Sequence, residues 1–152
     1  MLAETTMIWK PLGDDMRSSG GDASPEPRVL HLIVNDDPVV NSSNADPLGW
    51  IRFVAPSEPE PVIYLSRLRA RQLLDSVAAV RTRPSTYRDV LLSRIMGRAL
   101  AHELGHYLLA STAHSANGLM RGSWPLDVLI ANDRGAFRLA EGRRGSASEA
   151  RP

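Results

Sequence analysis

The histidines of this chain are concentrated in one short segment. The chain has four histidines, and three of them (His102, His106 and His114) lie between positions 102 and 114, where the first two enclose Glu103 in a His-Glu-x-x-His string. On a helix, residues four positions apart lie one turn apart on the same face, so both imidazoles can bind one metal ion. Zinc is bound in this way, and a water molecule can complete its coordination. The Glu103 carboxylate could then accept a proton from that water as a general base.

A long helix is predicted to position these residues. Residues 86–110 contain no proline and carry apolar residues at helical spacing, and Pro84 and Ser85 supply a start signal before them. Because apolar residues surround the histidines on several sides, we expect a largely buried helix, in which histidine and glutamate side chains need partners. A bound metal ion would satisfy the histidines. Gly97 and Gly105 lower helix propensity but allow another backbone to approach closely.

A catalytic zinc site needs a third protein ligand, and His114 is the nearest candidate. In a continuous helix His114 would lie about 12 Å beyond His106 along the axis. We therefore expect the helix to end near Ala110 and the chain to turn back. His114 is favoured because it follows the helix at a natural loop distance and is a good zinc ligand. The alternative third ligands are downstream carboxylates: Asp127, Asp133 and Glu141.

The string from His102 to His106, followed by His114 and by Gly118-Leu119-Met120, resembles the active-site motif of the metzincin zinc endopeptidases. The similarity is greatest to small bacterial members of that group. The resemblance implies one catalytic zinc ion with three histidine ligands, a glutamate base and a methionine in a tight turn beneath the metal. These roles would fall to His102, His106 and His114 as ligands, Glu103 as base and Met120 as the Met-turn residue.

The chain departs from the usual metzincin motif after the second histidine. Seven residues separate His106 from His114, where the usual motif has five, and Leu109-Ala110 stands where a glycine is expected. We therefore predict a different exit from the helix. Some metzincins have a tyrosine two residues after the Met-turn methionine that can reach the metal, but this chain has Gly122 there, so no ligand is expected at that position.

The resemblance also implies an α+β fold of the zincin type, in which a small twisted mixed sheet packs on the long active-site helix and a second helix. Residues 48–54 would form the edge strand above the zinc, and residues 61–65 the next strand inward. An extended peptide substrate would pair with the edge strand. Trp50 and Arg52 would face either the cleft or the surface of the sheet. The candidate substrate-binding residues are Gly49, Trp50, Ile51 and Arg52.

Hydrophobic periodicity and turn-forming residues predict the remaining elements. A helix is expected at 2–10, a strand at 29–34 and a second helix at 66–80. A flexible Gly/Ser/Pro-rich loop is expected at 18–27 and a Pro-rich turn at 55–61. After the Met-turn, Trp124 is expected in a wall of the substrate pocket or over the core, and Phe137 and Leu139 are expected to pack back on the core.

Several polar residues are interpreted as structural. His31 lies in the predicted 29–34 strand and is expected to have a local partner rather than a metal ion. The acidic residues of the 35–47 loop are interpreted as turn formers, so a structural calcium ion is not expected: Asp36, Asp37 and Asp46. The arginines at 67–83 are interpreted as the solvated side of a helix rather than as an anionic docking patch: Arg67, Arg69, Arg71, Arg81 and Arg83.

Composition is typical of one compact domain, predicted at 1–139, with a polar, disordered tail at 140–152. The net charge of +1 gives no indication of nucleic-acid binding. No segment is long and apolar enough to cross a membrane, and a monomer is expected. The absence of cysteine excludes disulfides and thiolate ligands. No signal peptide is recognisable, although a translation start upstream of Met1 would permit secretion, so localisation is left open.

Together these features predict a zinc-dependent endopeptidase that acts on a peptide or protein substrate. One alternative is a metal-binding regulatory protein with little turnover, which the long histidine spacing and the short chain favour and the intact Glu103 disfavours. The other is an intracellular zinc peptidase that cleaves a single regulatory partner, which the lack of a recognisable signal peptide favours.

Overall fold

The computed structural model describes residues 1–18, 29–36 and 47–139 of the chain. The helices are α1 (Leu2–Ser18), α2 (Arg67–Asp75), α3 (Ala78–Arg81), α4 (Ser85–Leu108) and α5 (Leu126–Ile130), and a 3-10 turn follows at Gly135–Phe137. The strands are β1 (His31–Asn35), β2 (Gly49–Ala55) and β3 (Glu58–Ser66). They form a three-stranded mixed sheet that packs against the helices. The predicted α+β architecture is confirmed at this level.

The sheet has β3 in its centre, between β1 and β2. β1 runs parallel to β3, with His31 opposite Val62, and β2 runs antiparallel to β3, with Trp50 opposite Tyr64. Ile63 of β3 is fully buried on the face that packs against α4. Within the described sheet, β2 is therefore an edge strand that lies beside the long helix, as predicted for residues 48–54.

The turn between β2 and β3 is shorter than the predicted 55–61 turn. β3 already begins at Glu58, so Pro59 and Pro61 lie inside a strand, whereas Pro56 remains in the turn. Proline has no backbone N–H and is disfavoured in the middle of a sheet. Among the described strands, however, β1 pairs with β3 only from Val62 onward, so at Pro59 and Pro61 the β1 side of β3 carries no pairing. Each proline thus lies where the central strand has one neighbour among the described strands.

Helix α1 is longer than the predicted 2–10 helix. The predicted helix ended before Pro11, whereas α1 continues through Pro11 to Ser18, although proline disfavours helix interiors. Ser18, which was expected in the 18–27 loop, is therefore helical. The remainder of that loop and the predicted 140–152 tail lie outside the described residues.

The predicted 66–80 helix is divided into α2 and α3. Ser66 caps the start of α2, where its hydroxyl accepts a hydrogen bond from the Arg69 N–H at 3.1 Å. The helix stops at Asp75, and Val77 takes an extended conformation with φ −94° and ψ 106°. Apolar residues continue at helical spacing across this break, so periodicity alone could not locate it.

Helix α4 is the central element and packs against β2, β3, α1, α2 and α5. Its bounds agree with the predicted 86–110 helix within two residues. A Cβ at Gly97 would lie 2.7 Å from the Met1 carbonyl oxygen, so the glycine permits the close approach of α1. Phe137 and Leu139 are buried in the same hydrophobic core, as predicted. None of the described helices is long and apolar enough to span a membrane.

A buried charged cluster joins α1, α4 and the end of α5. The fully buried Arg98 guanidinium donates to Glu4 Oε1 at 3.1 Å and to the backbone carbonyl oxygens of Val128, Ala131 and Asp133. Arg134 donates to the other Glu4 oxygen at 2.7 Å. Burial alone would raise the pKa of Glu4, but the hydrogen bonds from Arg134 and Arg98 outweigh it, and the pKa lies below its usual value.

Candidate metal site and cleft

Three histidine side chains converge at the C-terminal end of α4. The Nε2 atom of His102 lies 3.0 Å from Nε2 of His106 and 3.3 Å from Nε2 of His114. The three side chains lie close enough to hold one metal ion. Two nitrogens bound to zinc at about 2.0–2.1 Å with tetrahedral angles would be separated by about 3.3–3.4 Å. The observed spacing therefore fits a three-histidine metal site.

Backbone carbonyl groups orient two of the imidazoles. The Nδ1 atom of His102 lies 2.8 Å from the Leu119 carbonyl oxygen, and Nδ1 of His106 lies 2.6 Å from the Ser111 carbonyl oxygen. Because a carbonyl oxygen can only accept, each Nδ1 carries the proton and each Nε2 keeps its lone pair. This second contact is typical of metal-bound histidine, since it fixes both the tautomer and the ring orientation.

The imidazole of His102 is held in its neutral form. Burial lowers the pKa of His102 to about 4, and the neighbouring His106 and His114 lower it further, whereas the Leu119 carbonyl group acts in the opposite direction. Neutral imidazole is the form that binds metal ions. At neutral pH the His102 Nε2 is therefore ready to act as a ligand.

The chain leaves α4 through a turn that brings His114 back to the helix. The Ala110 N–H donates to the Tyr107 carbonyl oxygen and the Ser111 N–H donates to the His106 carbonyl oxygen, both at 3.2 Å. This pair of bonds is the Schellman cap, in which glycine usually takes the left-handed position. Here Ala110 takes it, with φ 45°. The predicted helix end near Ala110 and the return of His114 to His106 are thus confirmed.

The ring of His114 packs between two neighbours. It stacks on the His102 ring, with centroids 5.2 Å apart and an interplanar angle of 13°. A Cβ at Gly122 would lie 3.2 Å from Cγ of His114, so the backbone at Gly122 contacts the ring. The sequence predicted no ligand at Gly122, and the structure gives this residue a packing role instead.

Met120 lies beneath the turn of α4 that carries the histidines. Its side chain is almost fully buried. A Cβ at Gly105 would overlap the Met120 sulfur and would lie 3.2 Å from its Cε. Gly105, which was expected to admit a neighbouring backbone, therefore admits a methionine side chain. The contact places the predicted Met-turn residue directly against the helix between His102 and His106.

Glu103 is buried on the side of α4 that faces β2. A Cβ at Gly49 would lie 3.0 Å from Cγ of Glu103, so the first residue of β2 contacts this side chain. Burial raises the pKa of Glu103 to about 8 in the chain without a bound ion. The Glu103 side chain is thus shielded from water and lies next to the edge strand β2. In sequence, Glu103 lies between His102 and His106.

The histidines and Glu103 open into a cleft of about 500 Å³. Three of the four candidate substrate-binding residues line it: Gly49, Trp50 and Ile51. Arg52 instead lies over the Tyr64 ring, 5.5 Å from its centroid, on the surface of the sheet. Trp50 also stacks on Tyr64, with centroids 5.1 Å apart, so it borders the cleft and covers the sheet at once.

The cleft contains residues that the sequence did not predict. Arg69, which was expected on a solvated helix face, is half-buried and lines the cleft together with Leu73 of the same helix. The four-residue spacing from Arg69 to Leu73 was an available signal, because it places both on one face of α2. Trp124 lines the cleft as predicted, and so does Arg121, which directly follows Met120, although its side chain was not singled out from the sequence.

Of the alternative ligands, the two that the structure describes, Asp127 and Asp133, do not join the histidines. Asp127 and Asp133 are exposed, and in the described part of the chain the three histidines are the only group of potential ligands close enough to share an ion. His31 is exposed on β1, away from this group. Asp36 forms an ion pair with Arg67. Three acidic candidates lie outside the described residues: Asp37, Asp46 and Glu141.

Comparisons with protein families, with curated proteins and with solved structures find no match to this chain. The functional interpretation therefore depends on the motif and the geometry of the chain itself.

Proposed function

We propose that this protein is a zinc-dependent endopeptidase with a compact metzincin-like fold. The observation that carries the proposal is the convergence of three histidine Nε2 atoms in one cleft beside a buried glutamate. A structural cluster of histidines would give no reason to bring three Nε2 atoms to one point and to bury an acid next to them. A peptidase needs both features at the same place.

The donor set supports zinc as the metal. Imidazole nitrogens suit zinc, and three protein ligands with access to a cleft are typical of its catalytic sites rather than of its closed structural sites. His102, His106 and His114 would hold the ion, which when bound would supply a Lewis acid that polarises a substrate carbonyl and acidifies water. The nearly buried Met120 would keep water away from the underside of the histidines.

Glu103 would act as the proton carrier of the reaction. Glu103 lines the same cleft as the three histidines, in which the attacking water would lie. A cation held by the histidines would favour the ionised form of the Glu103 carboxyl group. In that form it would accept a proton from the water and return it to the amine of the leaving peptide fragment, so one residue serves as base and then as acid. Its desolvation strengthens its interactions with the reacting groups.

Strand β2 would position the substrate. It is an edge strand of the described sheet and begins against Glu103, and four of its residues line the cleft. An extended peptide can pair its backbone with such an edge, which places the scissile bond by register rather than by side-chain recognition. This arrangement favours an endopeptidase over a hydrolase of small molecules.

Hydrolysis of a mixed peptide library by the zinc-loaded protein tests the proposal. We expect cleavage by the wild type. We expect Glu103→Gln to bind zinc equally well but to cleave about 10²–10⁴-fold more slowly. Glu58→Gln, which changes an exposed glutamate of β3, is the matched control and should cleave like the wild type. Full activity of Glu103→Gln would refute its role as the base. A zinc-loaded wild type that cleaves nothing would favour a metal-binding regulatory protein.

A further inference from the structure

The charged groups that line the cleft are strongly unbalanced. Glu103 is the one carboxyl group among the described lining residues, and it is buried, whereas three arginines line the same cleft. Over the whole sequence, 18 basic residues face 17 acidic ones, so the imbalance does not reflect composition. The three cleft arginines are Arg69, Arg98 and Arg121.

The three arginines differ in what already binds them. The Arg98 guanidinium already has partners within the protein, because it donates to Glu4 and to three backbone carbonyl oxygens. Arg69 and Arg121 form no ion pair with any carboxylate of the described residues. By contrast, Arg67, two residues from Arg69 on the same helix, is paired with Asp36. Two guanidinium groups therefore remain available to a ligand.

These two guanidinium groups belong to different walls of the cleft. Arg69 is half-buried on α2, where Leu73 shares its helix face. Arg121 directly follows Met120, and its guanidinium lies 5.4 Å from the centroid of the Trp124 ring, another lining residue. The two arginines thus come from different elements that line the cleft. Positive groups in a concave, partly apolar site attract anionic ligands, and a guanidinium matches a carboxylate with two parallel hydrogen bonds.

We propose that the cleft selects peptides that carry a carboxylate close to the bond to be cleaved, and that Arg69 and Arg121 recognise this group. The inference rests on the proposed peptidase function, because it assigns the substrate class of the same cleft. Two sources can supply a carboxylate: an acidic side chain within the peptide, or the C-terminus of the peptide. Both present the same chemistry to a guanidinium, and the experiment separates them.

Binding measurements test the inference without requiring turnover. Zinc-loaded Glu103→Gln protein would be added to short, fluorescently labelled peptides of alanine and leucine whose two ends are blocked. Each peptide carries one glutamate, which is placed in turn at each position. The glutamine counterparts form a second set, and the glutamine peptides with a free C-terminal carboxylate form a third. Anisotropy gives the Kd of each peptide.

We expect the best glutamate peptide, or the free-acid peptide if the C-terminus is recognised, to bind about tenfold more tightly than its neutral counterpart. Arg69→Gln and Arg121→Gln should each reduce this preference several-fold, because each weakens the binding of the acidic peptides more than that of their neutral counterparts. The controls remove the same charge outside the cleft. Arg71→Gln lies on the same helix as Arg69 and Arg138→Gln lies near the end of the described chain, and both should keep the preference.

Equal affinity for the acidic and neutral peptides, or no binding of either, would overturn the inference. Loss of the preference in the control variants as much as in the cleft variants would overturn it as well, because it would assign the effect to net charge. Circular dichroism would verify that each variant folds. If Arg69→Gln does not fold, Arg121→Gln tests the inference by itself. Cleavage by the wild type is scored separately, so cleavage without acidic preference refutes this inference and leaves the peptidase proposal intact.

Discussion

At the scale of single residues, the candidate site depends on contacts that aim side chains rather than on the side chains alone. Two backbone carbonyl groups hold His102 and His106 by their Nδ1 atoms, so that both Nε2 atoms point to the cleft. Gly105 leaves room for Met120 beneath the same helical turn. A metal site needs this kind of support, because ligands that can rotate lose affinity.

Gly105→Ala tests the support from Met120. Helix propensity alone predicts that replacing a glycine inside a helix by alanine stabilises the protein by about 1 kcal/mol. Here the new methyl group would overlap the buried Met120 sulfur, so we expect a loss of about 1–3 kcal/mol and weaker zinc binding. Urea unfolding and zinc titration measure the two effects. Ser93→Ala, at an exposed position of α4, is the control and should leave zinc affinity unchanged. A more stable Gly105→Ala protein would contradict the packing described.

At the scale of elements, the exit of α4 determines whether the third histidine can reach the first two. The Schellman cap reverses the chain immediately after His106, although the left-handed position is occupied by Ala110 rather than by glycine. A residue with a Cβ in this conformation costs about 1–2 kcal/mol. The chain therefore keeps the turn at some cost, and the return of His114 to the cluster depends on it.

Ala110→Gly should accordingly stabilise the protein by about 1 kcal/mol, because glycine adopts a positive φ without this penalty. Thermal or urea unfolding of the metal-free protein measures the change. The matched control is Ala116→Gly, since Ala116 does not have a positive φ. The control should be neutral or slightly destabilised, because glycine increases the freedom of the unfolded chain. A destabilised Ala110→Gly protein would mean that residue 110 does not adopt the left-handed conformation.

The elements that carry local patterns could be predicted from the sequence, and those set by distant contacts could not. The periodicity of residues 86–110 and the histidine spacing sufficed to predict α4 and the convergence of the three histidines. The extended start of α3 at Val77 interrupts a continuing apolar pattern, and the prolines of β3 are tolerated only because β1 pairs further along that strand. For Arg69 the spacing to Leu73 was a signal in the sequence, but the packing of α2 beside the cleft is what makes this face part of the site.

At the scale of the whole molecule, the buried cluster around Arg98 links the N-terminal helix to the site. Arg98 lies one turn before His102 on α4, and it connects to α1 through Glu4 and to the end of α5 through backbone carbonyl groups. Removing one partner of a buried pair leaves a charge without compensation, which destabilises more than the intact pair stabilises. The position of α4 is thus coupled to segments at both ends of the described chain.

Glu4→Gln should therefore lower the free energy of unfolding by about 2 kcal/mol at neutral pH. The loss stays moderate because Arg98 keeps its hydrogen bonds to backbone carbonyl oxygens. The pKa of Glu4 is lowered in the folded protein from a reference value of 4.5, so its contribution is complete above that pH and is lost as pH falls through the folded pKa. The stability difference between wild type and Glu4→Gln should shrink accordingly below about pH 4.5. Urea unfolding between pH 3 and pH 7 measures it, with the exposed Glu58→Gln as control. A difference that is constant over this range would contradict the ion-pair assignment.

The metal content of the purified, zinc-reconstituted protein is the most direct test of the three-histidine site. We predict about one zinc ion per chain for the wild type, loss of zinc in His114→Ala, and full retention in His31→Ala, which removes an exposed histidine outside the cluster. Elemental analysis after dialysis gives the stoichiometry of all three proteins. A wild type that takes up no zinc, or a His114→Ala variant that binds zinc as tightly as the wild type, would contradict the site proposed here.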